Sequence, residues 1–136
     1  MRAKAAKWLL LAAAAAAAGC AGIAPIRARM EARRPLVSQQ DIEDFHEAVA
    51  SVAKLEYGRA GIAFQQALTR FEAAGDAKYA SQCMFWLGYC REMQGQINEA
   101  VMTYERVLTR YPAAPAAGLA RRRLEVLSVP SPGAVR

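Results

Sequence analysis

From about residue 41 to residue 127, apolar positions recur every three or four residues. This is the period of amphipathic helices, and no stretch alternates as a half-buried strand would. Ile42, Phe45, Val49 and Val52 form a first stripe, preceded by Ser38 as a cap with Asp41 and Glu43 in the opening turn. A turn near Leu55-Glu56 leads to a second helix with Ile62, Phe64, Ala67 and Leu68 facing inward. Gly75-Asp76 ends it, with Asp76 capping a third helix over 77–93. "QGQ" at 94–96 turns the chain into a fourth over 97–110, stopped by Tyr111-Pro112. A fifth starts near Pro115, a residue suited to a first helical turn, and carries Ala117, Ala120, Leu124 and Leu127 as its stripe. The pattern predicts an all-α domain over 39–127, followed by "SVPSPGAVR", a loose tail over 128–136.

The stripes repeat. "YGRAGIAFQQALTRF" at 57–71 and "INEAVMTYERVLTRY" at 97–111 align at a constant offset of 40. Ala60 matches Ala100, Phe64 matches Tyr104 and Ala67 matches Val107; upstream, Phe45 matches Phe85 and Ala48 matches Gly88. Self-similarity of this length marks an array of helical hairpins. Small residues at 60, 88 and 100 allow close helix crossings, and the aromatics at 64 and 104 fill the space one turn later. Gly95 suits a turn that other residues would strain.

Leu87, Gly88, Gly95, Ala100, Tyr104, Val107 and Pro112 resemble the tetratricopeptide repeat, with matching spacing across 81–114. The unit at 41–74 is more degenerate: Ala48, Leu55 in place of glycine, Ala60, Phe64, Ala67, and Glu72 in place of proline. The period exceeds the family's usual length of about 34 residues. The excess falls in the stretch from Ala73 to Ala80. The resemblance implies a short array of two units and a C-terminal capping helix. It also implies a concave groove lined by the first helix of each unit, on whose partner-binding side lie Phe45, Val49, Phe85, Tyr89 and Glu92. "YASQCMFWLGYCREMQG" and "YPAAPAAGLARRRL" are similar to an envelope branch of the family, found in periplasmic cell-division and outer-membrane-assembly proteins.

The start of the chain adds an address. Arg2, Lys4 and Lys7 precede an apolar block from Trp8 to Ala18. That block is too short for the ~20 residues of a membrane-spanning helix. This is the layout of a secretory signal, residues 1–19. Its closing "AAGC" resembles the lipobox of bacterial lipoproteins, which implies cleavage before Cys20 and lipidation of its thiol. Two alternatives stay open: an ordinary cleaved signal with an incidental cysteine, and an uncleaved anchor, since the run from Trp8 to Ala24 approaches spanning length if nothing cuts it. Ala21, where an aspartate would suggest inner-membrane retention, leans the expectation toward the periplasmic side of the outer membrane.

Net charge narrows the partners. The whole chain is +6, but three bases lie in residues 1–7 and a net +3 in residues 21–38, within the tether at 20–38. Residues 39–127 carry ten bases and eleven acids. The helical part therefore has no bias toward phosphates, and no nucleic-acid partner is expected. The expected partners are an envelope protein or peptide segment, the membrane through the lipid anchor, and a second copy of the chain.

Catalytic chemistry finds no constellation. His46 is the single histidine and reads as a surface residue. Cys83 and Cys90 lie seven apart on one helix. That spacing is about 10 Å of helical rise, too far for a disulfide, and both read as buried thiols. The acids of "DIEDFHE" and the bases of "RRR" at 121–123 read mainly as solvated surface. The chain is expected to bind without catalysing, and to need neither metal nor cofactor. A structural subunit that completes a larger complex without recognising a peptide is the alternative.

Overall fold

In the computed structural model, the structure describes residues 35–129. The signal, Cys20, most of the tether and the tail beyond Val129 lie outside the described residues. Five helices occupy them: α1 (Gln39–Ala53), α2 (Tyr57–Ala74), α3 (Ala77–Met93), α4 (Ile97–Arg110) and α5 (Pro115–Ser128). Each packs on its sequence neighbours, and α3 also touches α1 and α5. The fold is an all-α array of two tetratricopeptide-like hairpins closed by a fifth helix.

Local chemistry sets the boundaries. Ser38 forms a reciprocal capping box: its Oγ accepts from the Asp41 N–H at 3.2 Å, and its own N–H donates to Asp41 Oδ2 at 2.9 Å. These bonds to Ser38 hold the Asp41 carboxyl below its ordinary pKa. Asp76 caps α3 by accepting from the Tyr79 N–H at 3.0 Å. The three turns that join α1 through α4 share one geometry. Leu55 (φ 65°), Gly75 (φ 73°) and Gly95 (φ 79°) are all left-handed. In each turn the next residue donates back across five positions: Glu56 to Ser51, Asp76 to Phe71, Gln96 to Arg91. Glycine meets this conformation freely; Leu55 does not.

The residues beyond the usual period form no extra loop. They lengthen helices: α2 runs 18 residues against 14 for α4, and α3 runs 17 against 15 for α1. The core follows the echo. Ala60, Phe64, Ala67, Ala100, Tyr104 and Val107 are fully buried. Gly88 is required: a Cβ there would lie 2.8 Å from Tyr104 Cε1 and 3.0 Å from its Cδ1. Ile62 corrects the expected pattern. It is 65% exposed, because the inward face of α2 is filled by Ala60, Gly61, Phe64, Ala67, Leu68 and Phe71. Ile62 points the other way around the helix.

Candidate functional site

An aromatic surface forms where α1 ends. Val52, Ala53 and Leu55 from α1 and its turn, Tyr57 from α2, Phe85, Trp86 and Tyr89 from α3, and Arg123 from α5 line a groove of about 410 Å³. Helical spacing explains α3's share. Positions 85 and 89 are one turn apart, and 86 is the flanking position of the same surface. The rings brace one another: Trp86 and Tyr89 meet edge-on at 5.6 Å, Tyr57 and Tyr89 at 6.4 Å. Trp86 stacks on the buried Phe64 ring at 6.1 Å, which fixes the wall to the core.

The five expected groove residues divide. Tyr89 is half-buried and lies in the groove. Phe85 touches it but is only 8% exposed, packed against Trp86 and Tyr104, so it supports the wall and has little face to offer. Phe45 is 4% exposed and sits among Phe64, Tyr79 and His46, which removes it from the groove. Val49 is partly buried and packs on the core outside the groove lining.

Glu92 corrects the expectation further. Its side chain is 8% exposed. Its carboxylate accepts from the Tyr104 hydroxyl at 2.8 Å and from Arg123 Nε at 3.1 Å, with Arg123 Nη2 on its other oxygen. Satisfied on both oxygens, it is committed internally and holds α5 against α3 and α4. The bond to Glu92 raises the Arg123 pKa; burial, then Glu92, raises that of Tyr104. Arg123 thus leaves the solvated "RRR" surface, while Arg121 and Arg122 stay exposed.

The acidic first helix is also used internally. Asp41 and Asp44 pair with Arg70 of α2 at 3.2 and 2.8 Å, and Glu47 with Arg59 at 3.1 Å. Exposed pairs of this kind contribute little each, so they align α1 on α2 more than they stabilise it. His46 is exposed beside Phe45. Cys83 and Cys90 are buried free thiols, pushed up to about 12 and about 11 by loss of solvent. They stay protonated and unreactive at neutral pH. Among the described residues no group of three His, Cys, Asp or Glu side chains is placed to hold a metal ion.

Sequence reasoning missed Tyr57, Trp86 and Arg123. Trp86 lies in "MFWLGY", where α3 is apolar on nearly every side and periodicity cannot select a face. Arg123 could be assigned only by knowing what α5 docks against. Among known families, the tetratricopeptide repeat matches residues 82–114, which span most of α3, all of α4 and the turn to α5. No curated protein matches the chain.

Proposed function

We propose that this chain is a protein-interaction module of a bacterial envelope, anchored through lipidated Cys20 on the periplasmic side of the outer membrane. In this reading it presents its aromatic groove to a partner protein. The observation that carries the binding role is the groove itself: Tyr57, Trp86 and Tyr89 form a half-buried aromatic wall that the array does not close. Repeat arrays of this family generally mediate protein contacts, and clustered aromatic side chains are the usual anchors of such contacts. The address rests on the charged start, short apolar block and "AAGC", together with the sequence resemblance to the envelope branch.

The binding role is tested by crosslinking in intact envelopes, followed by mass spectrometry of what is captured. Tyr89→Ala should reduce capture several-fold with helicity retained. Capture unchanged by Tyr89→Ala would remove the groove as the contact surface. The anchor is tested separately. Cys20→Ser should release the protein from membranes or leave it uncleaved, and a soluble, unmodified wild-type protein would end the lipoprotein reading.

A structural subunit is favoured by one specific observation: Phe45, Phe85 and Glu92, all expected to face a partner, are engaged inside the fold. If that reading holds, the captured partner should tolerate Tyr89→Ala and depend instead on the integrity of α5.

A further inference from the structure

The polar atoms along the groove restrict what can lie in it. The Tyr57 and Tyr89 hydroxyls and the Trp86 indole N–H form no side-chain hydrogen bond among the described residues. No buried side-chain nitrogen or oxygen there lacks a partner, so these three groups reach solvent. The indole N–H donates only, and each hydroxyl has a proton to donate. Arg123, the remaining polar residue of the lining, is a donor already held by Glu92, and no carboxylate or carboxamide side chain lines the groove. The surface therefore combines aromatic faces with hydrogen-bond donors.

Three kinds of segment can be weighed against it. A strand needs a sheet edge, and these walls are helices whose main chains are bonded within themselves. An amphipathic helix brings an apolar face with no free main-chain acceptor, which would cover the three donors without satisfying them. A polyproline II segment has free carbonyls along its length, few or no N–H groups to satisfy, and pyrrolidine rings that pack on aromatic faces. The near-perpendicular ring pairs, 71° for Tyr57 with Tyr89 and 89° for Trp86 with Tyr89, form aromatic corners against whose outer faces such rings can pack.

Resting on the binding role above, we propose that the groove takes a proline-rich extended segment of a partner. Its pyrrolidine rings pack against the open faces of Tyr57, Trp86 and Tyr89, and its carbonyls accept from the Trp86 N–H and the two tyrosine O–H groups.

Trp86 reports on the groove directly. The chain's other tryptophan, Trp8, lies in the signal removed by the proposed cleavage, so mature protein in detergent has Trp86 as its sole indole, and uncleaved protein is given Trp8→Phe to the same end. Octaproline should change its emission saturably. Tyr89→Ala should weaken that binding about tenfold with an unchanged circular dichroism spectrum, and Tyr57→Phe should weaken it a few-fold. Equal-length peptides of helical and of alternating Thr-Val sequence should give no saturable change. The titration is repeated with Pro130→Ser and Pro132→Ser together, because the chain's own "VPSPGAVR" has the same chemistry. Saturation by octaproline in either form supports the proposal. No saturable response in both forms, or an equal response to a control peptide, overturns it. If the helical peptide alone saturates the signal and Tyr89→Ala abolishes it, the proline assignment falls while the binding role stands.

Discussion

The two hairpins share a plan but are secured differently. At three positions related by the 40-residue offset, α1–α2 has Ala48, Val52 and Phe64 where α3–α4 has Gly88, Glu92 and Tyr104. In the first hairpin all three positions are apolar. In the second, the ring gains a hydroxyl, the hydroxyl meets a carboxylate, and the carboxylate recruits Arg123 from α5. With no side chain at Gly88, Tyr104 approaches closely enough to reach Glu92. The same repeat scaffold thus makes a plain apolar contact in one unit and, in the other, a polar latch that fastens the closing helix.

The latch gives the largest expected break. Arg123→Ala leaves Glu92, 8% exposed, without its cation. Removing one partner of a buried pair costs several kcal/mol; because Arg123 is itself partly exposed, about 3 kcal/mol is expected. Denaturant unfolding should show the loss, and hydrogen exchange should show it concentrated in α5. The equivalent change in the first hairpin, Val52→Ala, touches no charge and should cost about 1 kcal/mol.

Next comes the close approach. Gly88→Ala should destabilise by about 1–3 kcal/mol despite alanine's better helix propensity, since the Tyr104 ring is pinned by Glu92 and cannot yield. Ala48→Gly, its counterpart, should cost about 1 kcal/mol through propensity and a lost methyl group. Equal melting of Gly88→Ala and the parent would mean that the ring moves freely.

Tyr104→Phe makes the second hairpin like the first. It removes one of the hydrogen bonds on Glu92 while Arg123 remains. A loss of about 1 kcal/mol is expected by thermal melting. A neutral result would assign the latch to Arg123 alone.

The smallest effect has the opposite sign. Leu55 holds the left-handed turn position that Gly95 holds in the second hairpin, and its side chain is 69% exposed. Leu55→Gly relieves the backbone strain and should stabilise by up to about 1 kcal/mol, offset in part by glycine's greater freedom when unfolded. Because Leu55 also lines the groove, the same variant should weaken partner binding. Stability and binding would then move in opposite directions, a sign that the strained leucine is kept for the surface.

The sequence by itself determined the helices and their ends. Ala77–Met93 and Ile97–Arg110 coincide with the spans read from periodicity and punctuation, and Ser38, Asp76, Gly95 and Pro115 act where local chemistry predicts. Caps, breakers and stripes are short-range features, so a linear reading captures them. The echo also identified the residues at the close crossings, because a repeat states its packing twice. What only the tertiary structure decided is which side of each helix stays open. Phe45 and Phe85 look as available as Tyr89 in the sequence, but they are buried because neighbouring helices meet over them. Glu92 and Arg123 are 31 residues apart, and their pairing exists only once α5 has docked on α3. Burial and long-range pairing depend on how several helices share space, and that geometry is not written in any one stripe.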